Sequence, residues 1–226
     1  MSRFELCGPC GDEYRSPDDR RFHSQTNACS KCGPVCQSDG NAAPIESAAS
    51  AVLAGKILGL KGLGGYQFVV DATSRKAIDR LRRRKQRPSR PLAVMVQTLA
   101  EAESLAELTD VDKAMLSSPT RPIVLVKAKQ DSTSSTLCHE AIHGGLMEIG
   151  LFLPTTPLHF LLLRHVGRPL VVTSGNLDGD SLAVTRADAE RDLSEVVDVW
   201  LHHDRDIVRP IDDSVVRVMA GRSVTV

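Results

Sequence analysis

ILGLKGLGGYQFVVDATSRKAIDRLRRRKQRPSRPLAVMV, residues 57–96, sets two apolar runs, a charged stretch and a third apolar run in close succession. ILGLKG (57–62) and YQFVVDA (66–72) read as strands buried on both faces, because neither leaves a polar residue at every second position. SRKAIDRLRRRKQ (74–86) reads as a helix that stops before Pro88, since a proline pushes the residue before it out of helical geometry. PLAVMVQ (91–97) is the next strand. Strands alternating with a helix in this way indicate an α/β domain.

The same texture continues outward. Upstream, IESAASAVLAGK (45–56) suits a helix with Gly55 and Lys56 as stop signals. Downstream, TLAEAESLAEL (98–108) and DVDKAMLSS (110–118) are short helices with Thr and Asp at their capping positions. PIVLVKA (122–128) is a strand, TPLHFLLLRHV (156–166) a helix with Pro near its first position, and PLVVTSGN (169–176) a strand entering a tight loop. TRADAERDLSEV (185–196) is a helix, followed by the strands VDVWLHH (197–203) and SVVRVMAG (214–221). Before Pro44 the pattern differs. Five of the six cysteines lie within residues 7 to 36, among polar and turn-forming residues, and QSDGNAAP closes the stretch like a linker. The sequence therefore predicts a small metal module over 1–40 and one α/β domain over 41–226.

The 226 residues suffice for one α/β core with an appendage. Lys plus Arg and Asp plus Glu balance at 28 each, so no global field draws the chain to nucleic acid or a membrane. No apolar run approaches the ~20 residues of a membrane helix, and the N-terminus lacks a signal-peptide core. A cytoplasmic location is expected, where paired cysteines serve as metal ligands more often than as disulfides.

Cys7 and Cys10 form one CxxC pair and Cys29 and Cys32 a second, with eighteen residues between them. Four thiolates complete a tetrahedral zinc shell, and a closed shell marks the metal as structural. Cys36 and His23 are the nearest substitutes, but the two pairs already supply four ligands.

No GxxxxGK(S/T) or strand-to-helix GxGxxG occurs, which argues against a Walker or Rossmann site. Three weaker features suit phosphate. Arg82, Arg83, Arg84, Lys85, Arg87 and Arg90 crowd a helix end, where Lys85, Arg87 and Arg90 can converge on an anion. Lys61 ends a strand just before Gly62, Gly64 and Gly65, where bare backbone permits close approach. Thr173, Ser174 and Asn176 end another strand in a hydroxyl–amide loop. Each has a plain alternative: a basic helix face is ordinarily solvated, and a Gly-rich or Ser-Gly-Asn segment is ordinarily a turn.

In order, CGPCGDEYRSPDDRRFHSQTNACSKCGP, KGLGGYQFVVDA, RRRKQRPSRPLAVMV, SSPTRPIVLV, IGLFLPTTPLHFLLL, LVVTSGN and HDRDIVRPIDDSVVR cover almost the whole chain. That set resembles the HypF hydrogenase-maturation carbamoyltransferases, specifically their second four-cysteine finger and their YrdC-like domain. The resemblance implies a twisted open mixed sheet with helices, and a basic cavity that binds ATP with Mg²⁺. It maps the family's KxR and SxN elements onto Lys85 with Arg87 and onto Ser174 with Asn176, with Lys61 facing the carbamate and Thr173 and Arg90 beside the nucleotide. Lys61, Lys85 and Arg87 are the implied catalytic residues.

The implied reaction is attack of carbamate, released from carbamoyl phosphate by another domain, on ATP to give carbamoyl-adenylate. The implied partners are a transferase domain or a hydrogenase-maturation acceptor protein. Gln67, Thr155 and Phe160 depart from the family's usual His, Tyr-like residue and second His. Two other functions remain in view. Stand-alone YrdC-like proteins make threonylcarbamoyl-adenylate for tRNA modification, but lack such a finger. The Arg cluster also suits a non-catalytic RNA- or protein-binding module, in keeping with the double-stranded RNA binding of the superfamily it resembles, but 4 % aromatic residues offer little base stacking.

Overall fold

The apolar runs of residues 57–96 become the centre of one mixed sheet. The computed structural model describes residues 3–38, 42–129, 137–177 and 179–226, so the boundary drawn between residues 40 and 41 lies outside the described residues. The N-terminal segment holds α1 (Gly8–Arg15) and β1 (Cys36–Gln37). Then follow α2 (Pro44–Leu53), β2 (Leu58–Lys61), β3 (Tyr66–Asp71), α3 (Arg75–Arg84) and β4 (Ala93–Met95). Next are α4 (Leu99–Leu105), β5 (Ala106–Glu107), α5 (Asp110–Ser117), β6 (Ile123–Ala128), α6 (His139–His143) and β7 (Glu148–Phe152). The chain ends with α7 (Pro157–Val166), β8 (Leu170–Ser174), α8 (Arg186–Asp192), β9 (Val199–His203), β10 (Val215–Met219) and β11 (Arg222–Thr225).

Among the described residues the strand order is β1-β9-β2-β3-β8-β4-β7-β6-β10-β11, with β5 beside β6. The β2–β9, β4–β7 and β6–β10 pairs are parallel and the others antiparallel, which makes the sheet mixed as expected. Leu58, Leu60, Val69, Leu170 and Val172 face one side, where Ala48 and Val52 of α2 and Leu162 and Leu163 of α7 cover them. Tyr66, Phe68, Val70 and Val171 face the other, against Ala77, Ile78 and Leu81 of α3. All of these are almost fully buried, and each large apolar side chain among them contributes about 2 kcal/mol.

The helices start where hydroxyls occur. The Ser74, Thr98, Thr156 and Thr185 side chains accept from the backbone N–H three residues on, and Thr109 with Asp112 forms a reciprocal capping box. Three departures from the sequence reading have physical causes. The helix expected over 98–108 ends at Leu105, because Ala106 and Glu107 pair with Ala128 and Lys127 of β6. The strand β7 was not anticipated from a run that contains Glu148 and Gly150. Gly150 is needed there: a Cβ would lie 2.9 Å from Ile123 Cγ2. The finger contains a helix, α1, whose start is set by Pro9 at its first turn and by Cys7 at the cap.

The topology gathers chemistry at one edge. Antiparallel pairing sets Ser174, the last residue of β8, beside Gln67 near the start of β3, and Lys61 at the end of β2 beside Tyr66. Strand ends of open α/β sheets are where such folds carry ligands.

Candidate functional site

Ser174, Gly175 and Asn176 leave β8 in a loop that is anchored from below. Gly175 N–H donates to the Tyr66 carbonyl at 2.6 Å, and a Cβ on Gly175 would fall 2.6 Å from that same carbonyl, so only glycine fits the approach. Ser174 Oγ donates to Asn176 Oδ1 at 2.7 Å, and Asn176 Nδ2 donates to the Asp180 carbonyl at 2.7 Å. Lys85 closes the arrangement. It caps the C-terminus of α3, is 3 % exposed, and donates from Nζ to the Ser174 carbonyl (2.5 Å), the Asn176 carbonyl (2.6 Å) and Asn176 Oδ1 (3.1 Å). The ammonium also lies 5.0 Å above the Phe68 ring. Arg87 follows, donating to Thr173 Oγ1 at 3.3 Å and to the Pro91 carbonyl at 2.9 Å. Five of the expected residues, Lys85, Arg87, Thr173, Ser174 and Asn176, are therefore together.

Arg82 and Arg84 of the basic run are spent on the fold. Arg82 donates to the carbonyls of Ala141, Ile142, Arg87, Pro88 and Arg90, which fixes the loop carrying Arg87. Arg84 pairs with Asp198 at 2.8 Å and Arg80 with the same carboxylate at 3.5 Å. Arg90 is exposed, and Lys61 ends β2, two strands from Ser174. Lys61 is 6 % exposed, donates to the His203 carbonyl at 3.1 Å, and lines a cavity of about 700 Å³ with Cys36, Leu63, Thr155, Leu158 and Ile211. Burial lowers its ammonium from the usual lysine range.

Two adjoining cavities meet at Ser174. One, about 180 Å³, is lined by Gly64, Gln67, Arg121, Thr155 and Asp213; the other, about 280 Å³, by Arg87, Leu125, Gly150, Thr173 and Asp213. Sequence reasoning noted Gln67 and Thr155 only as departures and missed Arg121, His159 and Asp213. Arg121 adopts φ 46°, unusual for a residue with a Cβ. His159 was a legible signal, being a polar residue on the face of its helix that otherwise buries Leu162, Leu163 and Val166. Its Nε2 lies 2.9 Å from Gln67 Oε1 and its Nδ1 3.0 Å from Thr155 Oγ1, while Gln67 Nε2 donates to Asp213 Oδ2 at 3.2 Å.

Burial pushes the His159 imidazole down to about 4. Below about pH 6.5 the unfolded chain binds a proton that the folded chain refuses, so stability falls as pH drops from about 6.5 towards 4, by up to about 3 kcal/mol from this group. Melting temperatures measured from pH 7.5 to 4.5 should fall accordingly. The slope should shrink in His159→Gln; a flat profile for the wild type would refute the buried neutral imidazole.

The finger builds a tetrahedron. Cys7 Sγ lies 3.7 Å from Cys29 Sγ, which lies 3.8 Å from Cys32 Sγ, and all four sulfurs of Cys7, Cys10, Cys29 and Cys32 fall within 4.8 Å. Zinc–sulfur bonds of ~2.3 Å require sulfur separations of about 3.8 Å, so a structural zinc fits. The N–H of Lys31 points at Cys29 Sγ (3.4 Å) and that of Cys29 at Cys32 Sγ (3.5 Å), as thiolate ligands require. The backbone N–H groups of Cys7 and Cys29 hold the Cys32 thiol down at about 6. His23 stacks on Tyr14 and Phe22, and Cys36 lies in β1; neither joins the cluster. Strand β1 pairs with β9, and Val35 N–H donates to Asp204 at 2.8 Å, so the finger is joined to the sheet.

Comparison with known proteins agrees with this layout. A family model for Sua5, YciO and YrdC proteins, described as "Telomere recombination", matches residues 50–226, and one described as "HypF finger" matches residues 6–37. The chain is 42 % identical to "Carbamoyltransferase HypF" of Rhodobacter capsulatus over 96 % of its own length and 29 % of that protein. It superposes with a TM-score of 0.94 and 37 % identity on full-length HypF in a phosphate- and nucleotide-bound form, over 100 % of this chain and 30 % of that one. P. abyssi Sua5 complexed with L-threonine shares the fold alone, at 18 % identity and a TM-score of 0.68, over 80 % of this chain and 52 % of that one. The chain thus spans about 30 % of the length of the carbamoyltransferases it resembles. No described helix is long and apolar enough to cross a membrane.

Proposed function

The chain belongs to the Sua5/YciO/YrdC domain family and carries a HypF finger ahead of that domain, and from this premise we propose that it forms carbamoyl-adenylate from ATP and carbamate. A carbamate oxygen attacks the α-phosphorus, the bond from that phosphorus to the bridging oxygen of the β-phosphate breaks, and pyrophosphate leaves with the bonding electrons. Carbamate is already an anion, so no general base is needed. The observation that carries the reading is the strand-end loop of Ser174 and Asn176, held on the buried Lys85 ammonium beside two cavities. It has a relative whose structure is nucleotide-bound.

A preorganised strand-end loop with positive charge beneath it stabilises a phosphoryl group as its leaving group departs, and the Ser174 hydroxyl serves by orienting the Asn176 amide. Lys85 fixes the loop and lends it charge, while Arg87 and Arg121 line the cavities where phosphates and acyl group would meet. Mg²⁺ accompanying the triphosphate adds charge neutralisation when bound. Lys61 lines the neighbouring cavity that also carries Thr155, from which it would face the carbamate, while the exposed Arg90 has no assigned part in this step. The carbamoyl group would then pass to a transferase domain and a hydrogenase-maturation acceptor protein, in an intracellular setting.

The isolated chain should catalyse slow, carbamate-dependent exchange of labelled pyrophosphate into ATP, without hydrolysing carbamoyl phosphate or carbamoylating an acceptor. Ser174→Ala and Asn176→Ala should each slow the exchange by at least about tenfold, the scale of losing one charge-assisted contact, without unfolding the domain. Exchange that appears only with threonine present would replace this reading with threonylcarbamoyl-adenylate synthesis. Tight ATP binding with no exchange for any acyl substrate would make the chain a binding module.

A further inference from the structure

Thr155, His159, Gln67 and Asp213 form a hydrogen-bonded row along one wall of the smaller cavity, and its chemistry permits one direction only. A carboxylate accepts and never donates, so Gln67 turns its Nε2 to Asp213 and its Oε1 to His159. The Gln67 oxygen must then receive a proton, which places the His159 hydrogen on Nε2. His159 is 1 % exposed and neutral at physiological pH, so its Nδ1 carries a bare lone pair. That lone pair takes the Thr155 hydroxyl hydrogen at 3.0 Å. The single hydrogen of Thr155 is committed to the protein interior, and its oxygen presents only lone pairs to the cavity it shares with Ser174.

We propose that the Thr155 oxygen accepts a hydrogen bond from the substrate's acyl N–H, so that this chain selects a carbamoyl group over an acyl group of the same shape that lacks nitrogen. The inference rests on the adenylation reading for the identity of the substrate, and the row of residues supplies the discrimination. Gln67, His159 and Asp213 are positioning residues, since they act by fixing the Thr155 rotor. A methyl group in place of the amino group would leave the Thr155 lone pairs facing apolar hydrogens. Sites built to pair with a substrate N–H reject analogues without one far better than they reject a change of size.

Carbamoyl phosphate and acetyl phosphate are suitable probes. They differ only in NH₂ against CH₃, and both carry the acyl–oxygen–phosphorus linkage of an acyl-adenylate. Calorimetric titration of the whole chain, with and without α,β-methylene-ATP, should show carbamoyl phosphate preferred by at least about tenfold, as one well-made hydrogen bond provides. Thr155→Val should bring the preference to within about twofold, by weakening carbamoyl phosphate while leaving acetyl phosphate nearly unchanged. Thr155→Ser should restore it. A wild type that binds both probes equally or neither, a Thr155→Val chain that keeps the preference, or a loss shared equally by both probes would each overturn the proposal. The binding readout is independent of turnover. A retained preference without pyrophosphate exchange would sink the adenylation reading and leave the acceptor role standing, whereas exchange with no preference would do the opposite.

Discussion

Chelation should remove about one zinc per chain and unfold residues 6–37 while the sheet domain stays folded. The four sulfurs already sit at the spacing of a tetrahedral shell. Little else in the segment holds it apart from the short β1–β9 pairing at its end: Cys10 is its one buried apolar residue among those described, and the buried Asn27 bonds back to the Cys10 carbonyl at 2.8 Å. Metal binding to such a site is itself the folding energy, of order 10 kcal/mol for a zinc module at neutral pH. Cys29→Ser should therefore abolish stoichiometric zinc in elemental analysis and open the segment to protease. Because β1 pairs with β9 and Pro34 and Cys36 line the Lys61 cavity, the loss should also raise hydrogen exchange at His202 and His203. A metal-free chain with four titratable thiols and an unchanged digestion pattern would refute the zinc staple.

Lys85→Met should be the most damaging single change in the sheet domain. Methionine nearly fills the space of the aliphatic stem but strands the carbonyls of Ser174 and Asn176, which Lys85 Nζ meets at 2.5 and 2.6 Å. Buried acceptors left without a donor cost about 1–3 kcal/mol each, so a total loss of about 3 kcal/mol and roughly 10 °C in melting temperature is expected. ATP affinity should fall at least about a hundredfold in calorimetry, since the loop that would receive the phosphates loses its anchor. Lys85→Arg should not rescue either property, because a planar guanidinium cannot replace a compact ammonium surrounded by converging oxygens. Unchanged stability with lost ATP binding would instead mean that Lys85 acts on the phosphates directly and not through the loop.

Local features of the sequence carried much of this architecture. The runs ILGLKG, YQFVVDA and PLVVTSGN are apolar at most of the positions that a two-sided strand must bury, Lys61, Asp71 and Thr173 being buried exceptions, and all three became central strands. Thr98 announced a helix start because a cap is a bond between a residue and its third neighbour, whereas the next helix is capped by Thr109 and not by the expected Asp110, which sits in its first turn. The two CxxC pairs were readable for a similar reason: a knuckle is a local turn, and four thiols have few other uses in a core-poor segment. Short strands such as β7 and β5 were not readable, since their pairing partners and not their own residues make them strands.

The fate of each charge was beyond local reading. Six basic residues in a nine-residue stretch look alike in the sequence. Only the packed sheet sends Lys85 to a loop 89 residues away, Arg84 to Asp198, and Arg82 to five carbonyls, leaving Arg90 at the surface. The row from Thr155 through His159 and Gln67 to Asp213 likewise joins α7, β3 and the segment before β10. The sequence by itself determined most of the longer elements, the four-cysteine cluster and the family, because periodicity, caps and ligand spacing are encoded within a few residues. The tertiary structure alone decided which polar groups meet, because a long side chain's partner is whichever donor or acceptor the folded chain brings within about 3 Å of it.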